Sequence, residues 1–157
     1  MTKSWLGFDS RYGRLLAGAG DRIPHEGLVL PGDTVTITTR PQIPFAGERL
    51  STHLPIASSF LIHSLRVGNA EQTVSFGPIP ADAFATRMDQ LAEIEAIYKQ
   101  GEAFELKIQK GAYDLIGEEW PLPMVFASCD LTFTVENISS EPRRFIAGFF
   151  GRTDYVR

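Results

Sequence analysis

His25, His53 and His63 are the side chains of this 157-residue sequence that could offer neutral nitrogen ligands to a metal, and their placement argues against it. A metal centre carried on the facing strands of a β-barrel or sandwich uses a close i, i+2 histidine pair with a carboxylate nearby. No such pair exists here, and only His63 falls in a segment that reads as a strand. Nucleophilic catalysis fares no better. There is no Gly-x-Ser-x-Gly elbow, and Cys129 has no histidine near it in sequence, so it reads as a small buried thiol. Glu118-Glu119 beside Trp120 comes nearest to a glycoside-handling constellation, because carboxylates and an aromatic face can hold a sugar. Adjacent residues point apart in an extended chain, however, and two carboxylates that flank one bond come more readily from different strands. The pair therefore reads as a solvated turn with a packing tryptophan, and sugar binding through Trp120 and Tyr113 stays open as the alternative. Asn137-Ile138-Ser139 matches a glycosylation acceptor but falls where a turn is expected, and Gly18-Ala19-Gly20-Asp21 has no following Gly-Lys-Ser/Thr to make a phosphate loop. The sequence thus predicts no catalytic residue, no metal site and no cofactor.

The elements that would position any site are strands. Pro31-Gly32 makes a turn, after which Val35 and Ile37 alternate with Thr34, Thr36 and Thr38, the pattern of a half-buried strand. From Ile56 to Val67 both alternating faces are largely apolar, with Phe60 and Ile62 on one and Leu61 and Leu65 on the other, which predicts a strand in the middle of a sheet. "EQTVSFG" reads as a third strand closed by the rigid exit "GPIPA". Phe84, Met88, Leu91, Ile94 and Ile97 then recur at helical spacing, which predicts one short helix ending before Gly101. "AFELKIQK" and "DLTFTVEN" return to period two, and "RRFIAGFFG", after the turn "ISSEPR", reads as the second arm of a closing hairpin. The Pro-rich, aromatic stretch "YDLIGEEWPLPMVFAS" reads as a surface loop.

Short strands separated by turns, with too few helices for an α/β fold, predict an all-β protein: an antiparallel two-sheet sandwich, jelly-roll-like, with one short helix, over residues 31–157. Residues 1–30 lack a sustained period and read as an N-terminal arm lying on the domain or on a partner, with Trp5, Phe8, Tyr12 and Leu15 as its anchors.

Composition narrows the functional classes. The chain is 43% hydrophobic and 22% charged with a formal net charge of −4, and no run of Lys or Arg is long enough to track a phosphate backbone, so no nucleic-acid partner is expected. One cysteine excludes an internal disulfide. No stretch has the length of a signal peptide's apolar region or of a membrane helix, which implies synthesis and retention in a cytoplasm and no membrane partner.

One question remains after the bland readings: why "TVTITT" runs into "RPQIPFAGERL", with two prolines and two arginines, before a second apolar run. The order "TRPQIPFAGERL", "ASSFLIHSLRVGNAEQ", "GPIPADAF" between Thr39 and Phe84 resembles a family of small tailed-phage structural proteins, and "FTVENISSEPRRFIAGFFG" is similar to the closing part of the same pattern. The resemblance covers roughly two thirds of the chain by eye and carries no catalytic signature. It implies a capsid cement or decoration protein, residing in the virion after synthesis in the host cytoplasm. Such a protein would form dimers or trimers and bridge copies of a major capsid protein. On that reading "RPQIPFAGERL" crosses from strand to strand, stiffened by Pro41 and Pro44 and anchored by Phe45. Arg40 and Arg49 then pair either with acids of the same domain or with a capsid neighbour. The residues expected at the partner interface are Trp5, Phe8, Tyr12, Arg40, Phe45, Arg49 and Trp120.

Overall fold

The threonine-alternating segments form strands that pair with one another. In the computed structural model, which describes residues 2–15, 27–73, 78–85, 104–105, 117–126 and 129–153, β4 (Thr34–Thr39) lies antiparallel to β11 (Leu131–Asn137). Val35 faces Val135 and Ile37 faces Phe133 in register, so one side of the pair is wholly apolar and buried. β6 (Phe60–Val67) pairs with the other edge of β11. The first sheet runs β2 (Gly13–Leu15), β4, β11, β6, β7 (Ala70–Glu71), and β8 (Ile79–Pro80) also pairs with β6. Both edges of β6 are therefore occupied, as expected of a strand in the middle of a sheet.

The two-faced pattern of β6 has a local cause. Ser64 lies opposite Thr134 but Ile62 lies opposite Val135, so His63 is an extra residue in a β-bulge. The bulge shifts the phase by one: Phe60 and Ile62 face the core before it, Leu65 and Val67 after it. The strand also starts later than its apolar run, since Leu54–Ala57 forms a single helical turn with proline in its first turn.

The second sheet runs β10 (Glu118–Glu119), β5 (Phe45–Thr52), β13 (Ile146–Thr153), β1 (Thr2–Asp9), β9 (Phe104–Glu105), again antiparallel throughout. A separate ribbon joins β3 (Leu28–Val29) to β12 (Arg143–Arg144). The two large sheets pack face to face as a sandwich around rings from both. Phe133 of the first sheet meets Phe8 edge-on with centroids 4.6 Å apart and stacks on Phe149 at 5.9 Å. Each such buried ring contributes about 2–3 kcal/mol through burial, with about 1 kcal/mol more from ring geometry. Residues 40–44 carry the chain from β4 in one sheet to β5 in the other, so the crossing expected over "RPQIPFAGERL" is confined to its first five residues and "FAGERL" belongs to β5 itself.

Three expectations need correction. Of the arm expected over residues 1–30, the described residues 2–15 do not lie as an arm over the domain: β1 is an inner strand of the second sheet, registered against β13 from Thr2–Thr153 to Asp9–Ile146. Hydrogen bonding between β1 and β13, with Leu6 and Phe8 in the core, outweighs the absence of sequence periodicity. The closing hairpin is not a hairpin, because β11 and β13 lie in different sheets and the "ISSEPR" segment crosses between them. Buried Asn137 builds that crossing: its Nδ2 donates to the Val29 and Glu141 carbonyls at 2.7 and 2.9 Å, and its Oδ1 accepts from the Ser139 amide. Finally, Gly117 to Val125 is not a free loop. It follows the edge of β5, with the Trp120 amide donating to Glu48, Leu122 to Gly47 and Val125 to Phe45. Of the expected helix, only Phe84 is described, at the end of a 3-10 turn, Ala81–Phe84. Its remainder, the end of "EQTVSFG", most of "AFELKIQK" and Tyr113 lie outside the described residues.

Candidate functional site

Among the described residues no three His, Cys, Asp or Glu side chains converge as a metal site, and no helix is long and apolar enough to cross a membrane. His63 meets a single carboxylate, Glu136, at 2.8 Å. The described surface offers groups for contact: exposed apolar side chains, arginines, and the loops that hold them.

The seven residues expected at a partner interface divide sharply. Trp5, Phe8 and Phe45 are fully buried, which corrects their assignment to an interface. Each sits on a strand of the second sheet, where its ring gains more from packing than any docked partner could add. Trp120 is half-buried, stacked on Phe84 at 5.2 Å and edge-on to Phe149 at 6.1 Å, so one face of the indole is already used. Arg49 donates to the Gly117 carbonyl at 3.0 Å and approaches Glu119, tying the edge segment to β5. Arg40 is exposed and donates through Nε to Asp130 at 2.7 Å. That hydrogen bond, with the charge of Asp130 behind it, raises the guanidinium above its ordinary pKa. Both arginines thus have partners within the domain. Tyr12 alone of the aromatic set is exposed, at 63%.

Apolar side chains that sequence reasoning did not single out stand in solvent at the two ends of the sandwich. Leu30, Leu54 and Ile138 gather at one end. The Ile138 amide donates to Ser59, just past the turn that begins at Leu54, and the Gly32 amide donates to Asn137, which brings the Leu30 turn beside Ile138. Met124 and Phe126, the latter 75% exposed, lie at the other end, next to the Val125–Phe45 bridge. β5 spans the gap: Phe45 opens it and Leu54 follows its close, an extended run of about 25 Å. Nothing in the sequence marks these five, since isolated apolar residues in turns carry no period.

A third exposed region surrounds the end of β1. The Asp9 carboxylate is wholly buried and is held by both nitrogens of an Arg144 fork, by the Arg11 amide at 2.9 Å and by Arg11 Nε at 3.2 Å. Ser10 completes the corner by donating to the Gly27 carbonyl and accepting from the Phe145 amide at 2.9 Å. The hydrogen bond to Asp9 raises Arg144 above its ordinary pKa, against an opposing contribution from burial. Asp9 and Arg144 are 135 positions apart, so no local pattern could have paired them.

The chain matches no protein-family model, no curated protein and no solved structure. The functional reading therefore rests on the geometry and on the resemblance of the segments from Thr39 to Phe84.

Proposed function

We propose that the chain is a virion structural protein, a capsid cement or decoration protein that oligomerises and bridges major capsid subunits. The observation that carries the reading is the presence of exposed apolar side chains at both ends of one rigid sandwich. Clusters of this kind mark protein contacts, and a bridging protein needs two of them, facing apart. The strand order adds support. β1–β13, β4–β11, β5–β10 and β6–β8 are antiparallel pairs that alternate between the sheets, which we read as a jelly-roll winding, an architecture used in capsid proteins. The segments from Thr39 to Phe84 supply β5, β6 and β8 of that winding. Many weak contacts repeated over a shell add as avidity while each copy stays soluble before assembly.

Light scattering of the purified chain and addition to shells depleted of it test the reading together. A stable dimer or trimer, with saturable shell binding and increased resistance of the shells to heat, is the expected result. A monomer that fails to bind shells overturns it.

A further inference from the structure

Among the described residues, the corner at the end of β1 sets two arginines against one buried carboxylate. Asp9 is the buried anion there, and the Arg144 fork engages both of its oxygens. Arg11 contributes only its backbone amide and Nε, and neither Nη nitrogen has a hydrogen-bond partner among the described residues. Its side chain is 41% exposed, with the guanidinium 5.6 Å from the centroid of the Tyr12 ring. Gly27 fixes this posture. Its backbone has φ +77°, and a Cβ there would come within 2.5 Å of Arg11 Cγ, so the arginine stem lies directly on the glycine. Leu28 follows, exposed and registered opposite Arg144, and Leu30 continues the same outward side. A guanidinium bound to Asp9 only through Nε thus lies beside Tyr12 and the Gly27 backbone that leads into Leu28, on a chain whose formal net charge is −4.

We infer that this corner is a docking site for an acidic, apolar segment of a partner protein, in which a carboxylate caps the Arg11 Nη pair and an adjoining apolar side chain covers Leu28 and Tyr12. Charge complementarity selects the carboxylate. The two Nη nitrogens present parallel N–H donors with the geometry of a carboxylate, and Asp9 is too fully engaged by Arg144 to serve them. The apolar neighbours select against a freely solvated anion, because covering them excludes water from the ion pair and strengthens it. The inference rests on the docking reading for the Leu30 end of the sandwich and names the chemistry of its partner.

The test is an amide-shift titration of the full 15N-labelled chain with three capped octapeptides, alternating Glu-Leu, Lys-Leu and Glu-Ser. The expected result is saturable shifts at Arg11, Tyr12, Leu28 and Arg144 with Glu-Leu, weaker ones with Glu-Ser and none with Lys-Leu. Arg11→Gln weakens Glu-Leu binding about tenfold, the loss of one charge-assisted contact. Leu28→Ser, which touches neither arginine's bond to Asp9, weakens it independently. No shift at these amides at millimolar Glu-Leu, or equal shifts with Lys-Leu, overturns the inference. Anionic vesicles that reproduce the same shifts better than the peptide also overturn it, in favour of a membrane surface. Shell binding by the two variants separates the inference from the reading beneath it. Variants that bind shells as well as wild type sink the acidic-segment site alone, whereas a wild type that ignores shells sinks the cement reading and leaves the titration to judge the corner.

Discussion

Gly148→Ala is the most demanding test of the second sheet. Gly7 and Gly148 face each other in the β1–β13 register, and Trp5 pairs diagonally across from them, opposite Phe150. By strand alternation all four positions share the face of the sheet away from Phe8 and Phe149. Trp5 and Phe150 are nonetheless fully buried there, with ring centroids 5.0 Å apart. The indole lies flat over Gly148: a Cβ at that position would be 1.5 Å from Cζ3, 2.0 Å from Cη2 and 2.2 Å from Cε3 of Trp5. Ordinary carbon contacts begin near ~3.5 Å, so the ring must retreat by about 2 Å in a site with no free volume. Overpacking of this kind costs ~1–3 kcal/mol, and displacing a wholly buried indole places it at the upper end, about 3 kcal/mol. For a chain of this length that lowers Tm by roughly 10 °C.

The assay is urea denaturation followed by far-UV circular dichroism on a cycle of four proteins: wild type, Gly148→Ala, Trp5→Leu and the double variant. If the added methyl harms the fold only through Trp5, the methyl costs less than about 1 kcal/mol once the indole is gone. The coupling energy is then about 2 kcal/mol, large for a pair in contact. Additive costs, or a single Gly148→Ala within about 0.5 kcal/mol of wild type, would falsify the placement of Trp5 over Gly148.

Two further outcomes follow from the polar contacts. Glu71 is partly desolvated, which raises its pKa, but hydrogen bonds from the Ser64 and Thr73 hydroxyls and the Leu65 and Thr73 amides prevail and hold it at about 2, below the ordinary carboxylate value of 4.5. A depressed carboxyl stabilises the fold above its unfolded pKa and loses that contribution as pH falls through the folded one. The Glu71→Gln deficit is therefore full at pH 7, shrinks between about pH 4.5 and 2, and is about 1 kcal/mol after discounting for a side chain 37% exposed. Denaturation curves at pH 7, 4 and 2 check it, and a deficit unchanged at pH 2 refutes it. Asp9→Asn leaves the Arg144 charge without its buried anion and costs about 3 kcal/mol, whereas Arg11→Gln, which leaves the Arg144 fork on Asp9, costs less than about 1 kcal/mol by the same measurement.

Period two was readable wherever a strand has one wet face. β4 and β11 put valines, isoleucine, leucine and phenylalanine in the core and threonines outside, and the pattern survives folding because each residue meets one environment. The all-β sandwich followed from those strands. β1 defeats the same reading, and β13, legible as a strand, conceals which sheet it joins. In the second sheet Leu6 and Phe8 fill the core while Trp5 is buried on the opposite side, and Ala147, Phe149 and Phe150 repeat the arrangement one strand over. A strand buried on both faces has no alternation to see, and glycines at positions 148 and 151 dilute the apolar run further.

The candidate interface was less legible than the fold, for a reason that follows from the same physics. Large aromatic residues attract attention in a sequence, yet in water they are the residues with most to gain from burial, and Trp5, Phe8 and Phe45 have taken it. What remains for a partner is what the core did not need: Leu28 and Leu30 beside a two-residue ribbon, Leu54 and Ile138 in turns, Phe126 beyond a bridge. Arg11 becomes notable only because Arg144, on a strand near the other terminus, has already taken Asp9. A charge left over by someone else's pairing cannot be read from its neighbours in sequence. The prominent arginines of the "RPQIPFAGERL" segment spend themselves on Asp130 and Gly117 in holding the sandwich closed, and the arginine whose Nη pair we assign to a partner lies in the turn after β1.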